Sequence, residues 1–199
     1  MLAASPAWAE QPAESHLLAG VDHFRDERFE LALVELKVAQ KLGARGEVDW
    51  YVAATLTKLH RVGEALEAFA AARDEAPDAG DPLLDYYQAI ACYEARLLVC
   101  ADSLLANVEA GAGPRVAGQA RKVRADIAAV LASEPPASAV DACLAQGRDA
   151  LTAGRRPLAA LYFEEARALA RRRTDGHGLK PATEGLGAAR ATTTPGKRP

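Results

Sequence analysis

Long apolar runs are missing from this sequence. No stretch approaches the roughly 20 consecutive apolar residues that a membrane-spanning helix requires. Aromatic residues make up only 6% of the 199 residues, and there is a single methionine. Three cysteines, Cys92, Cys100 and Cys143, form no CxxC and no metal-ligand spacing. Their odd number argues against a disulfide framework, and buried small-residue packing is the expected role. A Cys92–Cys100 bridge requires an oxidising compartment. No GxSxG, P-loop or GxGxxG motif occurs, and the Gly-rich turn before Pro114 has no following Lys or Ser to make a phosphate cradle. The four histidines have no partner set that would make a convincing metal site. Neither a catalytic constellation nor a cofactor is therefore expected.

What is present is alanine, with few β-branched residues, and that composition favours helix. A chain of this length can bury about 70% of its unfolded surface, enough for a stable core. Its net charge of −3 is unevenly spread. Residues 1–113 carry 9 Lys+Arg against 19 Asp+Glu, and residues 114–199 carry 15 against 8. The basic run Arg167–Arg173, "RALARRR", complements the dipole at a helix C-terminus. No nucleic-acid partner is expected.

The leader "MLAASPAWAE" has Ala7-Trp8-Ala9 followed by Glu10, the small–x–small form of a signal-peptidase site. Residues 1–13 are read as a residual signal-peptide-like or disordered leader. The expected location is periplasmic or exported, with the cytoplasm as the alternative.

A ruler of small and large residues recurs along the chain. Around Ala65 it marks Ala53, Phe69 and Ala72, with Pro77 beyond. The same spacing marks Gly20, Ala32, Leu36 and Ala39, then Ala89, Ala101, Leu105 and Val108, then Gly147, Ala159, Phe163 and Ala166. Successive copies are offset by 33, 36 and 58 residues. Turns are expected near "DERF", "HRVG", "EARL" and "AGRRP". Asp81-Pro82 reads as an N-cap followed by Pro at the first helical position.

These residues resemble the tetratricopeptide repeat, whose pattern W-x2-L-G-x2-Y…A-x3-F…P marks a helix–turn–helix of about 34 residues. The resemblance covers about residues 14–173. His16, Asp49, Asp85 and Cys143 stand where the pattern has Trp, and His23, Leu56, Cys92 and Ala150 where it has Tyr. It implies an all-α fold, a right-handed α-solenoid of helix–turn–helix repeats. Repeats are expected at about 14–45, 47–78, 82–112 and 139–173, with one extra helix at 115–132. The segment 174–199, rich in Gly, Pro and Thr, is expected to be disordered. Small residues at crossings let helices approach closely, so Gly20 and Ala53 should face Ala32 and Ala65. Ala39 and Ala72 should admit the next hairpin.

In the resembled family the first helix of each hairpin lines a concave groove that holds peptides or helices. That register places Leu17, Val21 and Phe24 in the groove, followed by Trp50, Ala54 and Thr57, then Tyr86, Ile90 and Tyr93. Leu144, Arg148 and Leu151 come from the fourth copy. A Lys/Asn/Arg clamp for a terminal carboxylate is absent, because Leu17, Val21 and Trp50 occupy its positions. The implied function is a non-enzymatic scaffold binding a protein or peptide partner. The alternative is a self-associating structural repeat protein, and the aromatics could equally be core covered by the extra helix or the tail.

Overall fold

The computed structural model describes residues 11–75 and 81–191. The Ala7-Trp8-Ala9 site and Pro77 lie outside the described residues. Ten helices and no strand occur among the described residues, so the fold is all-α. In chain order they are α1 Gln11–Arg25, α2 Phe29–Lys41, α3 Glu47–Lys58, α4 Val62–Glu75 and α5 Pro82–Glu94. They continue with α6 Leu98–Gly111, α7 Pro114–Leu131, α8 Ala137–Thr152, α9 Arg156–Ala170 and α10 Leu179–Arg190.

Local chemistry sets the helix ends. The Asp81 carboxylate accepts from the Leu83 N–H at 2.9 Å with Pro82 at the first position of α5, an N-cap that satisfies an orphan donor. Asp49 in the first turn of α3 reaches back to the Gly46 N–H at 2.9 Å. Four turns between paired helices are built alike. Glu27 (φ 59°), His60 (φ 55°), Arg96 (φ 64°) and Gly154 (φ 74°) each adopt the left-handed conformation. The next residue's N–H reaches back five residues in every case: Arg28 to His23, Arg61 to Leu56, Leu97 to Cys92 and Arg155 to Ala150, at 2.8–2.9 Å. This doubly bonded helix end satisfies carbonyls that the terminating helix would otherwise orphan. The turns fall in the order and spacing of the sequence ruler.

Within the first hairpin, Gly20 packs under a large residue, Leu36. A Cβ on Gly20 would lie 2.6 Å from Leu36 Cγ, and one on Gly147 would lie 2.8 Å from Phe163 Cε1. The atoms nearest Gly20 are those of Leu36, one turn beyond Ala32 on the same buried face of α2. The first helix supplies the hole and the second supplies the knob four residues beyond the alanine. Ala32 is itself fully buried.

Helices pair as α1–α2, α3–α4, α5–α6 and α8–α9, and α3 and α5 stack successive pairs together. Helix α7 closes the first three hairpins by packing on α6 and α5, and α10 packs likewise on α9 and α8. Charge secures the first closure. Arg124 of α7 bonds Asp102 and Glu109 of α6, both at 2.9 Å, and Arg121 bonds Glu109 at 2.8 Å. The hydrogen bonds from Arg121 and Arg124 hold the Glu109 carboxyl below its ordinary range. Part of the basic excess after residue 113 is therefore matched to the acidic body within the fold.

The fourth pair does not follow the third in line. Its second helix, α9, docks against α4 and α6, the second helices of earlier pairs. Glu165 of α9, only 2% exposed, accepts from the Val99 and Cys100 N–H groups at 2.9 and 2.8 Å. It caps α6, whose own N-cap residue, Leu97, provides no side-chain bond. Arg156, also on α9, donates to the carbonyls of Ala188, Ala189 and Ala191 at the C-terminus of α10. Opposite charges thus meet the two helix termini whose dipole ends favour them.

The tail expected to be disordered carries α10, Leu179–Arg190, a correction to that reading, whose residues 192–199 lie outside the described residues. Its Ala182, Leu186 and Ala189 are buried, and Phe163 fills the space left by Gly185. Arg173 ties the preceding connection down through the Pro135 carbonyl at 2.7 Å and a paired contact with Asp175. Arg172 bonds the Leu131 carbonyl. Two arginines of the "RALARRR" run are therefore engaged within the fold.

Candidate functional site

The nine groove residues do not share one open face. Val21, Phe24, Trp50, Ala54 and Thr57 are buried, whereas Leu17, Tyr86, Ile90 and Tyr93 keep part of their surface exposed. In the fourth copy Leu144 is buried, Leu151 half-buried and Arg148 exposed. The reason is the position of α3. It touches α1, α2, α4 and α5, so its whole run from Val52 to Thr57 is enclosed. Trp50 is 0% exposed, with the Phe69 ring edge-on at 5.8 Å and the Arg73 guanidinium 5.0 Å above its ring. Arg73 is held there by Asp85 at 2.8 Å and Gln88 at 2.6 Å. The Trp50 Nε1 has no hydrogen-bond partner. Trp50 is a core residue, and its assignment as a groove anchor is corrected accordingly.

The accessible aromatic surface lies one residue further round the same helices. Phe24 at the end of α1 is the centre of an edge-to-face cluster, with Phe29 at 5.6 Å, Tyr51 at 5.7 Å and Tyr87 at 5.4 Å. Tyr86 meets Tyr87 at 5.9 Å. Such pairs add about 0.5–1.5 kcal/mol each beyond burial. Above them Lys58 Nζ stands 5.1 Å from the Phe29 ring and 5.9 Å from the Tyr87 ring. Together these residues line a pocket of about 330 Å3 whose rim carries Arg25, Glu27, Asp81 and Leu83.

Burial pushes the Tyr87 phenol up, and the neighbouring Tyr86, Glu27 and Tyr51 push it the same way. Tyr51 is raised chiefly by burial and then by Glu47. Both hydroxyls therefore stay neutral at physiological pH and offer a donor beside apolar ring faces. The lining residues include no Ser, Cys or His to act as nucleophile or base. The arrangement can hold an apolar or aromatic side chain and hydrogen-bond its backbone.

The sequence did carry a signal for these residues. Asp49-Trp50-Tyr51 and Asp85-Tyr86-Tyr87 are separated by the 36-residue offset of the second and third copies. The first aromatic of each pair is the buried Trp50 or the half-buried Tyr86, whereas the second, about 100° further round the helix, lines the pocket.

A larger cleft of about 600 Å3 separates α4, α9 and α10. Its Arg156 caps α10 and its Arg190 pairs with Glu164, so its charges serve the docking of α9 and α10. The cysteines converge near Glu165. Cys92 is pushed well up by its hydrogen bond to Cys100 and by burial, and Cys143 is pushed up to about 12 by burial, with the Glu165 charge adding to both. Thiols so protonated are poor nucleophiles. Among the described residues no group of His, Cys, Asp and Glu is placed to hold a metal ion, and no helix is long and apolar enough to cross a membrane.

No family model matches this chain, and no curated protein does.

Proposed function

We propose that this chain is a non-enzymatic protein-interaction module, a right-handed α-solenoid of tetratricopeptide type. It binds a peptide or helix by seating an apolar side chain in the Phe24–Tyr51–Tyr87 pocket. The observation that carries the reading is this half-exposed cluster, assembled by α1, α3 and α5, the first helices of three successive hairpins. The repeated left-handed turns and the Gly20–Leu36 and Gly147–Phe163 packing support the repeat assignment. Aromatic anchors in partly desolvated pockets are where peptide recognition concentrates its energy. Arg25 and Lys58 are matched by Glu27 and Asp81 around the pocket, so its charges balance and the apolar anchor is what it selects.

Selection of a random peptide library on the purified protein tests this. Enriched peptides should share a large apolar residue. Their binding should fall at least about tenfold in Tyr87→Glu, because an unpaired charge would then sit in the pocket. A library with no enrichment, or peptides that bind Tyr87→Glu equally well, would refute the assignment.

A further inference from the structure

The outer face of α2 is apolar and, among the described residues, uncovered. Leu36, Ala32 and Ala39 face inward and are fully buried. On the opposite side, Leu31 is 50% exposed, Val34 58% and Leu42 48%, with Val38 half-buried between them. The spacing 31, 34, 38, 42 is a continuous helical stripe, running the length of a helix about 20 Å long.

The chain itself uses this position as a docking face elsewhere. In the repeat register Leu31, Val34 and Val38 correspond to Leu158, Leu161 and Glu165 of α9. There, Leu161 lines the cleft against Arg73 of α4, and Glu165 caps α6. The corresponding outer positions of α4, against which α9 docks, are Glu64, Glu67 and Ala71. In α2 the apolar version of the face has no such neighbour among the described residues.

Charge flanking the stripe selects its occupant. Glu30 lies at the start of α2 and Lys41 at its end, on the same flank. In an antiparallel helix pair related by a two-fold axis, equal flanks meet, so Glu30 of each copy faces Lys41 of the other. The same register sets Val34 against Val38 and Leu31 against Leu42. Lys37 lies further round, toward Glu64, whose carboxyl is held down chiefly by its hydrogen bonds from Arg61, with Lys37 adding to this. Opposite-charge flanks of this kind fix orientation and partner in paired helices.

We infer that the outer face of α2 pairs antiparallel with α2 of a second copy, forming a two-fold dimer. This surface is distinct from the aromatic pocket, and the inference stands independently of the peptide-binding proposal. One helix per copy makes a small contact, below the roughly 1,200 Å2 of a standard interface, the size class of weak and transient pairings.

Sedimentation of the purified full chain from about 1 μM to about 1 mM tests it. Wild type should pass from monomer to dimer. Val34→Glu should weaken association at least about tenfold while leaving the circular dichroism spectrum and melting temperature in place, because Val34 is more than half exposed. Glu30→Lys and Lys41→Glu should each weaken the dimer about two- to tenfold at low salt. Combining them should restore it. A wild type that stays monomeric throughout overturns the inference, as does a folded Val34→Glu that dimerises normally. A double charge exchange weaker than either single variant overturns the antiparallel register.

Discussion

Replacing Gly185 by Ala would place a methyl group inside the Phe163 ring's space. A Cβ built on Gly185 lies 2.4 Å from Phe163 Cε1 and 2.6 Å from Cδ1 and Cζ. Carbon atoms at rest stand about 3.5–4.0 Å apart, so ring or helix must yield by about 1 Å. The ring has little room to yield, because it also fits closely over Gly147, where an added Cβ would meet it at 2.8 Å. Relief must come from displacing α10. Overpacking of this kind costs about 1–3 kcal/mol, partly offset by the roughly 1 kcal/mol that Ala gains over Gly in a helix. Gly187, two residues on in the same helix, has nothing within 4 Å of its built Cβ and is the internal control. Gly187→Ala should stabilise by about 0.5–1 kcal/mol. Urea unfolding of the two variants side by side should then separate them by about 1–3 kcal/mol at unchanged slope. Equal stabilities would mean that α10 does not rest on Phe163, and the ordered reading of the C-terminal segment would fall.

Other substitutions probe the interior. Trp50→Ala should lower stability by about 3–5 kcal/mol in a thermal or denaturant melt, whereas a near-silent melt would return Trp50 to the surface. Glu165 tests the docking of α9. Burial raises its carboxyl above the ordinary range, although the Val99, Cys100 and Leu98 N–H groups pull it back. A group raised in the folded state contributes stability that is full below the unfolded value, about 4.3, and is lost as pH rises through the folded one. The stability of wild type relative to Glu165→Gln should therefore decline from about pH 4 toward neutrality, measured as midpoint differences across that range. A rising difference would show that the helix-capping bonds, and not burial, dominate.

Much of the hairpin architecture was readable because its determinants are local. The left-handed turn at Glu27, His60, Arg96 and Gly154 and the glycine beneath Leu36 or Phe163 sit within one hairpin, close enough for a fixed spacing to mark them. Asp81-Pro82 announced the start of α5 for the same reason. Spacing alone could not say which side chain fills a glycine's space, Leu36 at Gly20 and Phe163 at Gly147. The candidate site was legible only in part. Phe24 was found, but Tyr51 and Tyr87 were passed over for their neighbours Trp50 and Tyr86, since two adjacent aromatics on a helix give no sign of which one will meet the Phe24 ring.

The sequence by itself determined an all-helical chain of paired helices, because alanine-rich composition, caps and turns act over a few residues. Tertiary structure alone decided how the last pair is placed. Glu165 caps a helix that begins 67 residues earlier, and Arg156 closes one that ends 34 residues later. α10, with two glycines and a proline, has little intrinsic helical preference. It is helical because Phe163 and Arg156 supply from outside the segment the packing and the terminal hydrogen bonds that its own residues lack.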